Sequence, residues 1–588
     1  MCGFLGVSNK SFYHRKEDLI NSSFNWIKHR GPDESKTLLL EKFFIGFHRL
    51  SIVGVKNNKA SQPIKLRNNS NYFMFNGEIF NYKKVAKERL DTSEIHSSYL
   101  TSDTLVLSML LEKYGLECLN WLDGMFSIAI INDESGELTL IRDRYGIKPL
   151  YYFIDHEKII FCSHIKPIID ISGYKKQNKN AIYTYLKEGL YDHSQETFFK
   201  NVKSVPPGHS IKINVNNMKI DNYRWYKIED NIHNYNSKNN KTSLEEIDHL
   251  ITEVISDYIP EEVDFALNVS GGVDSTLLIS RIKKNSDRNF ILLNQDYEDP
   301  YSEKKWMDKY SKFLNVSPFY FSITPKEIIN DLKESFLFQA QPFGGITIPG
   351  YTPLYKKANQ ENCKVILDGT GLDEAFLGYS RYRNDFEYHD KNNLGDSGPK
   401  DPRGLRHNAI SDSLRNSSYL LNSYIDDYLD GIKCPPPRMK SILDICSNKI
   451  PRTLRFNDHI SSRFSTELRT PFLSHRILHL GFKIPHEKLI SEKGTKLPVR
   501  DLLSKDGMEE IAYAPKRYIQ TPQTEWFKKE IKFLVGEYIF SESFFERGWI
   551  KQEVIKNEYE KFLNKNTYNS FFLWQWFSLE YWARMNFD

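Results

Sequence analysis

Across residues 1–225 the apolar positions come in short runs or alternate with polar ones, and turn-forming residues close each run. FFIGFHRLSIV (43–53), NYFMFNGEIF (71–80), MFSIAII (125–131), LTLIRD (138–143) and KIIFCS (158–163) read as strands. SDTLVLSMLLEKYG (102–115) predicts one of the few helices between them. Many strands with few helices predict packed sheets carrying helices on the outside, an α+β layer arrangement. Further along, the order becomes apolar strand, glycine-rich turn, helix: DFALNVSGGVDSTLLISRIKK (264–284), NFILLNQ (289–295) and KVILDGTGLDEAFLGY (364–379). That order predicts a parallel α/β sheet. The C-terminal part, rich in Trp, Phe and Tyr, predicts helices packed on the α/β core.

A chain of 588 residues exceeds what one hydrophobic core organises, so at least two domains are expected. The polar stretch IEDNIHNYNSKNNKTS (228–243) marks the joint. The expected division is a first domain 1–225, a linker 226–243 and a second domain 244–588. Residues 390–440, with GDSGPKDPRG (395–404) and CPPPR (434–438), predict an insertion or mobile surface segment. Composition acts mainly by exclusion. A net charge of +4 is too balanced for a nucleic-acid or polybasic membrane partner. No apolar run approaches the ~18 residues that insert into a bilayer, and the first residues lack a signal-peptide pattern. The six cysteines are scattered without a C-x-x-C pair, which argues against a zinc site or disulfide framework and fits a reducing cytoplasm.

Cys2 stands out by position. Removal of the initiator methionine would leave it with a free α-amine, which titrates at about 7.7–8.0 and accepts the thiol proton without a histidine. A cysteine at position 2 is weak evidence alone. RGPD (30–33), HRLSI (48–52), NGEIFN (76–81), SD (102–103), LDGMF (122–126), RDRYGIKPLYY (142–152) and PPGH (206–209) follow it in order. Together these segments resemble the N-terminal-nucleophile (Ntn) glutaminase domain of glutamine-dependent asparagine synthetases. The resemblance implies an Ntn-type αββα sandwich in which Cys2 attacks the glutamine side-chain amide, giving a thioester and ammonia. Asn76 and the Gly77 N–H would form the oxyanion hole. Arg49 would hold the α-carboxylate of glutamine, with Glu78 and Asp103 on its α-amine. SHIK (163–166) departs from the family's Ser-Glu-Ile-Lys, which puts His164 at a domain-interface position as a packing residue.

SGGVDS (270–275) lies between an apolar strand and an apolar helix, where glycines admit phosphate to the backbone and a helix start offers unpaired N–H groups. The Walker A pattern is absent, and the segment resembles the pyrophosphate loop of ATP pyrophosphatases. The resemblance implies an α/β ATP-pyrophosphatase domain with Ser270, Gly271, Gly272, Asp274, Ser275, Gly369 and Lys516 on ATP and pyrophosphate, and Asp274 and Asp373 on Mg²⁺. LRFNDHISSRFSTELRTPFLSH (454–475), KLPVR (496–500) and APKRYIQTP (514–522) follow where family members carry similar motifs, and Glu467 with Arg469 is expected as a buried structural ion pair.

The likeness loosens on the acceptor side, where Thr370 and Asp373 are expected. Thr370 stands where the family's Ser-Gly-Glu-Gly-x-Asp-Glu carries a glutamate, and a hydroxyl replaces neither its charge nor its basicity. ILLNQDY (291–297) replaces Phe-Ser-Ile-Gly-Phe, PFLD ends in Ser474, and QPFGGITIPGYTP (341–353) stands where a substrate loop is expected. The expected function is glutamine- and ATP-dependent amidation of a carboxylate through an acyl-adenylate, nominally aspartate to asparagine. A second reading changes only the acceptor, for instance to a uronic acid sugar of a surface polysaccharide. A third is a glutaminase or binding scaffold with a degenerate second domain, which the intact SGGVDS loop disfavours. The expected partners are glutamine, ATP and the acceptor, without nucleic acid or membrane insertion, in a cytoplasmic protein whose homodimerisation is left open.

Overall fold

The computed structural model describes residues 1–588 except 68–69, 92, 94, 232–241, 384–404, 430–431, 433, 493, 515–520 and 565–568. Most of the linker expected at 226–243 and the first part of the segment 390–440 therefore lie outside the described residues.

Two six-stranded antiparallel sheets form the first half. One runs Val202–Ser204, Tyr151–Ile154, Ile159–Cys162, Gly3–Ser8, Phe43–Arg49, Glu34–Leu39 across its width. The other runs Lys219–Arg224, His209–Asn214, Glu137–Arg142, Gly124–Asn132, Asn71–Ile79, Ile64–Lys65. Side chains alternate across a strand. Phe43, Ile45 and Phe47 therefore point inward to Met74, Ala129, Leu138 and Leu140 of the second sheet, while Phe44 points outward. Helices Glu17–Trp26 and Ile165–Ser172 cover the outer face of the first sheet, and Tyr82–Arg89 and Asp103–Tyr114 that of the second. The result is the expected αββα order. It explains why the central strands are apolar on both faces: each is buried twice.

The second half is built on a five-stranded parallel sheet ordered Pro318–Ser322, Ile291–Asp296, Phe265–Asn268, Val365–Leu367, Glu467–Arg469. In chain order the strands lie 3-2-1-4-5, so the winding reverses between Phe265–Asn268 and Val365–Leu367. Such a switch point opens a crevice at the carboxyl ends of the two strands. SGGVDS leaves one of these strands and DGTGLDE the other.

The aromatic C-terminal helix Phe571–Phe587 departs from the expectation of packing on the α/β core alone. It joins the core outside the first antiparallel sheet, with Ser578 Oγ 3.3 Å from Tyr185 OH and Trp582 edge-on to Phe198. The described part of 390–440 is also packed rather than loose. Ala409, Ile410 and Leu414 are buried, and Leu421 N donates to Thr184 Oγ1 at 3.0 Å. Among the described residues no helix is long and apolar enough to cross a membrane.

Candidate active sites

Cys2 opens the Gly3–Ser8 strand at the middle of the first sheet, with its Sγ 3.8 Å from the Leu50 carbonyl. Its backbone carbonyl accepts from Arg30 Nε at 3.0 Å. Burial pushes the thiol up and lowers the Met1 α-amine to about 5. While Met1 is present the Cys2 nitrogen is an amide, and the base proposed for the thiol exists only once Met1 is removed. Asn76 and Gly77 lie on Asn71–Ile79, the strand paired with Gly124–Asn132. The Nδ2 of the buried Asn76 amide is 3.4 Å from Ser127 Oγ. Its Oδ1 has no hydrogen-bond partner among the described residues; an oxygen only accepts, so the oxyanion role requires Nδ2 to turn from Ser127 toward the substrate. Phe126, opposite Gly77, donates to Asp143 Oδ2 at 3.2 Å and accepts from Asp143 N at 2.9 Å. The Gly77–Phe126 pair is thus a non-hydrogen-bonded rung of the ladder, and the Gly77 N–H turns to the open side. A Cβ at Gly77 would run into the Met125 carbonyl.

Arg49, buried at the end of Phe43–Arg49, donates through Nη2 to the carbonyls of Gly54 (2.9 Å) and Val53 (3.3 Å), with Glu34 at 3.6 Å. Asp103 starts its helix and accepts from Ile79 N (3.1 Å) and Thr104 N (2.6 Å). Burial raises it to about 6 despite these bonds. Glu78 is buried beside it. Burial and the nearby Asp103 raise its carboxyl, and it pairs with Arg469 of the parallel sheet at 3.1 Å. In this arrangement Glu78 faces the second domain, and its expected part in amine recognition is shared with that contact.

Arg469 also meets Glu467 at 3.0 Å and the Tyr258 carbonyl at 2.9 Å, and Glu467 lies 3.8 Å from Lys148. The expected Glu467–Arg469 pair is therefore part of a four-residue buried chain across the domain junction. Arg30 reaches Asp458 through both terminal nitrogens, at 2.8 and 3.3 Å, with all partners buried. Ser474, where a family aspartate was expected, donates to Asp123 of LDGMF at 3.0 Å and caps the helix His475–Lys483. His164 accepts from Lys166 N at 3.1 Å, which starts Ile165–Ser172, and its other nitrogen bonds the Phe338 carbonyl at 2.7 Å. Its ring lies 4.6 Å from that of His459, and burial keeps both imidazoles neutral. His164 is an interface packing residue, as its position implied.

Beyond the carboxyl end of the central strand Phe265–Asn268, Gly272 starts the helix Val273–Asn285. Ser270 N and Oγ contact Ser275 Oγ at 3.0 and 3.1 Å, folding the loop on itself, and Gly271 N donates to Glu303 at 3.2 Å. Gly369 packs against Asp274, a Cβ on it falling 3.1 Å from the Asp274 Cβ. Gly371 takes a φ of +106°, a region L side chains avoid, and so turns the chain back toward the loop. Asp274 and Asp373 thereby converge on one group, the ammonium of Lys496, which bonds Asp274 and lies 2.8 Å from Asp373. Those two carboxylates raise its pKa against the opposing burial.

Residues 1–226 match the family model described as a glutamine amidotransferase domain, and residues 246–584 match asparagine synthase. The chain belongs to the glutamine-hydrolysing asparagine synthetase family. Asparagine synthetase (glutamine-hydrolyzing) 1 of Bacillus subtilis is 27% identical over 92% of this chain and 90% of its own length. Asparagine synthetase (glutamine-hydrolyzing) 3 of the same organism is 22% identical over 90% and 88%. The amidase chyE of Penicillium rubens is 22% identical over 63% of this chain and 56% of its own. Glutamine-dependent amidation of the asparagine synthetase type is thus this enzyme's chemistry, as an amidotransferase and ligase.

In this asparagine synthetase family member, Lys496 was missed in the sequence. Lys516, the lysine expected on the phosphates, lies outside the described residues. The available signal was KLPVR, whose lysine precedes a helix, Leu497–Lys505, aimed at the loop. In the DGTGLDE loop, Thr370 N donates to Asp368 Oδ1 at 2.9 Å, and burial raises Asp368 to about 6. Gln295 Nε2 donates to Tyr297 OH at 2.7 Å and approaches the Thr347 carbonyl at 3.4 Å, so 341–353 closes beside the end of Ile291–Asp296. Asn294 Nδ2 donates to the Val269 carbonyl at 2.8 Å, and its Oδ1 is buried with no partner among the described residues.

Proposed function

We propose that the enzyme moves the amide nitrogen of glutamine onto a carboxylate activated by ATP, with aspartate as the reference acceptor. Cys2, freed of Met1, attacks the glutamine amide while its own α-amine takes the thiol proton and returns it to the leaving ammonia. Asn76 and the Gly77 N–H stabilise the tetrahedral oxyanion, Arg49 holds the α-carboxylate, and Asp103 with Glu78 holds the α-amine. Water then cleaves the thioester to glutamate. In the second domain the acceptor carboxylate oxygen attacks the α-phosphorus of ATP, releasing pyrophosphate and leaving an acyl-adenylate. Ammonia displaces AMP to give the amide.

The nucleotide sits against Ser270, Gly271, Gly272, Ser275 and Gly369, where loop N–H groups and the helix start favour phosphate. Asp274 and Asp373 suit Mg²⁺, because they already share one cation in Lys496. The ion, when bound, neutralises phosphate charge and makes pyrophosphate a better leaving group. Lys496 then turns from the carboxylates to the phosphates.

The observation that supports this reading is that one sheet joins the two chemistries. Its edge strand Glu467–Arg469 faces the Cys2 side, and SGGVDS and DGTGLDE leave the carboxyl ends of the two inner strands that flank the switch point. A second reading, with another carboxylate such as a uronic acid, is favoured by Thr370, which supplies no acidic side chain on the acceptor side. A carboxylate screen read by glutamine-dependent pyrophosphate release tests both. Robust turnover with aspartate removes the second reading; turnover with a sugar acid and none with aspartate establishes it. No release with any carboxylate refutes both.

A further inference from the structure

The parallel sheet touches the glutamine side through more than the Glu467–Arg469 pair. Lys364 directly precedes the Val365–Leu367 strand, and Glu262 lies three residues before Phe265–Asn268. These are the two strands that flank the switch point. Lys364 Nζ donates to Asp33 Oδ2 at 2.6 Å and to the Ser51 carbonyl at 3.3 Å. Asp33 in turn accepts from Ser51 N at 2.7 Å through the same oxygen, and its own N–H donates to the Arg49 carbonyl at 3.1 Å. Glu262 accepts from Gly54 N at 2.7 Å with one oxygen and from Val55 N at 3.0 Å with the other. The Gly54 carbonyl is the one that holds the Arg49 guanidinium. The loop bearing Glu262 is itself braced, because Arg288 donates to the carbonyls of Glu261 and Val263, and Glu261 pairs with Lys83 at 2.7 Å.

We propose that Glu262 and Lys364 are positioning residues for glutamine. Between them they fix both ends of the segment 51–55, and through its carbonyls they fix the direction of Arg49. The pocket that recognises glutamine is then completed by the synthetase domain rather than by the first domain alone. The proposal rests on the reading of Arg49 as the anchor of the glutamine α-carboxylate. Glu262 and Lys364 lie at the amino ends of strands only four and three residues long, and the phosphate loops leave their carboxyl ends. At about 3.3 Å per residue the contact lies ~10–13 Å from the phosphate loops.

The test uses the full-length enzyme and measures glutamate release without acceptor, with ammonium-driven pyrophosphate release as the parallel readout. Glu262→Ala and Lys364→Met are each expected to raise the KM for glutamine about fivefold, the scale of a lost charge-assisted bond at a partly exposed position. The kcat should stay within about twofold, because Cys2, Asn76 and Gly77 are untouched. Glu262→Gln, which keeps one acceptor oxygen, should fall between. Ammonium-driven release should not change. An unchanged KM in both charge-removing variants overturns the proposal, as does a fall in kcat at constant KM. Loss of ammonium-driven release also overturns it, by making the residues supports of the second domain's fold. Arg49→Ala separates the two levels of inference. If it leaves the KM unchanged, the reading of Arg49 fails. If it raises the KM while the two variants do not, only the positioning role fails.

Discussion

Replacing Lys496 by methionine keeps most of the apolar stem and removes a buried charge held between Asp274 and Asp373. In the proposed adenylation, negative charge builds on the pyrophosphate leaving group beside this ammonium. A unit charge at about 4 Å in an effective dielectric of about 20 contributes about 4 kcal/mol, or about 10³-fold in rate. Lys496→Met should therefore lower pyrophosphate release about 10³-fold with glutamine and with ammonium alike. Glutamine hydrolysis at Cys2 should stay within about threefold, since that site lies in the first domain, across the edge strand Glu467–Arg469. A second signature follows from what the lysine leaves behind. Asp274 and Asp373 then face each other without a cation, so Mg²⁺ should raise the melting temperature of the variant more than that of the parent. Coupled-enzyme detection of pyrophosphate, with glutamate release and thermal melts run in parallel, measures all three. The reasoning is refuted if Lys496→Met keeps ammonium-driven release within about tenfold while Lys516→Met loses it. Lys516 would then be the phosphate ligand and Lys496 a structural ion-pair partner.

Three further outcomes are expected. Cys2→Ala should abolish glutamine-driven synthesis and keep ammonium-driven synthesis; loss of both would contradict two separable sites. Asp103 has a folded pKa of about 6, above the unfolded carboxylate value, so its burial favours the fold only in acid and that contribution is lost as pH rises through about 6. Only its ionised form pairs with the glutamine ammonium, so the KM for glutamine should rise about tenfold from pH 7 to pH 5. A flat KM over that range would exclude Asp103 from amine recognition. Arg30→Met leaves Asp458 charged and buried and should cost about 3–5 kcal/mol in urea unfolding, with Asp458→Asn restoring part of it in the double variant. A loss below about 1 kcal/mol would show that the pair does not bind the two halves.

The strands and the sites differ in how far they could be read from sequence. The alternation in FFIGFHR and the apolar run in NYFMF located two central strands, and the motifs HRLSI and NGEIFN, whose resemblance points to Arg49, Asn76 and Gly77, begin on those same strands. SGGVDS was legible for the same reason. Lys496 was not. Its partners Asp274 and Asp373 lie 222 and 123 positions away, and one lysine before a short helix looks like any solvated lysine until the chain is folded. The C-terminal helix is a related case. FFLWQWFSLEYW is apolar around most of its circumference, which predicts burial but names no partner. Its packing against Tyr185 and Phe198 joins residues nearly 400 apart. Arg30 shows the limit most sharply. It reads as part of the RGPD motif, and its role as the bridge from the Cys2 backbone to Asp458 depends on two domains meeting.

The same geometry separates the positions proposed for the two chemistries from those proposed for the acceptor. Cys2, Arg49 and Asn76 lie on or at the ends of central strands, and SGGVDS follows a strand bonded on both sides. A change at those positions moves backbone that several elements share. Thr370 is different. Its N–H is held by the Asp368 carboxylate and the turn after it is made by Gly371 with its positive φ, so the loop's path is set by its neighbours. A side chain at position 370 can change from acid to hydroxyl without disturbing Asp373, Gly369 or the sheet. Asn294 and Gln295 occupy the end of Ile291–Asp296, where Asn294 reaches the Val269 carbonyl beyond the neighbouring strand and Gln295 meets the 341–353 segment. On the proposed function, substitutions at these places are expected to alter which carboxylate is accepted and to leave adenylation in place. The proposal thus places acceptor specificity in loop side chains, and Thr370→Glu tests it directly: it should move the carboxylate preference while ammonium- and glutamine-driven release change together.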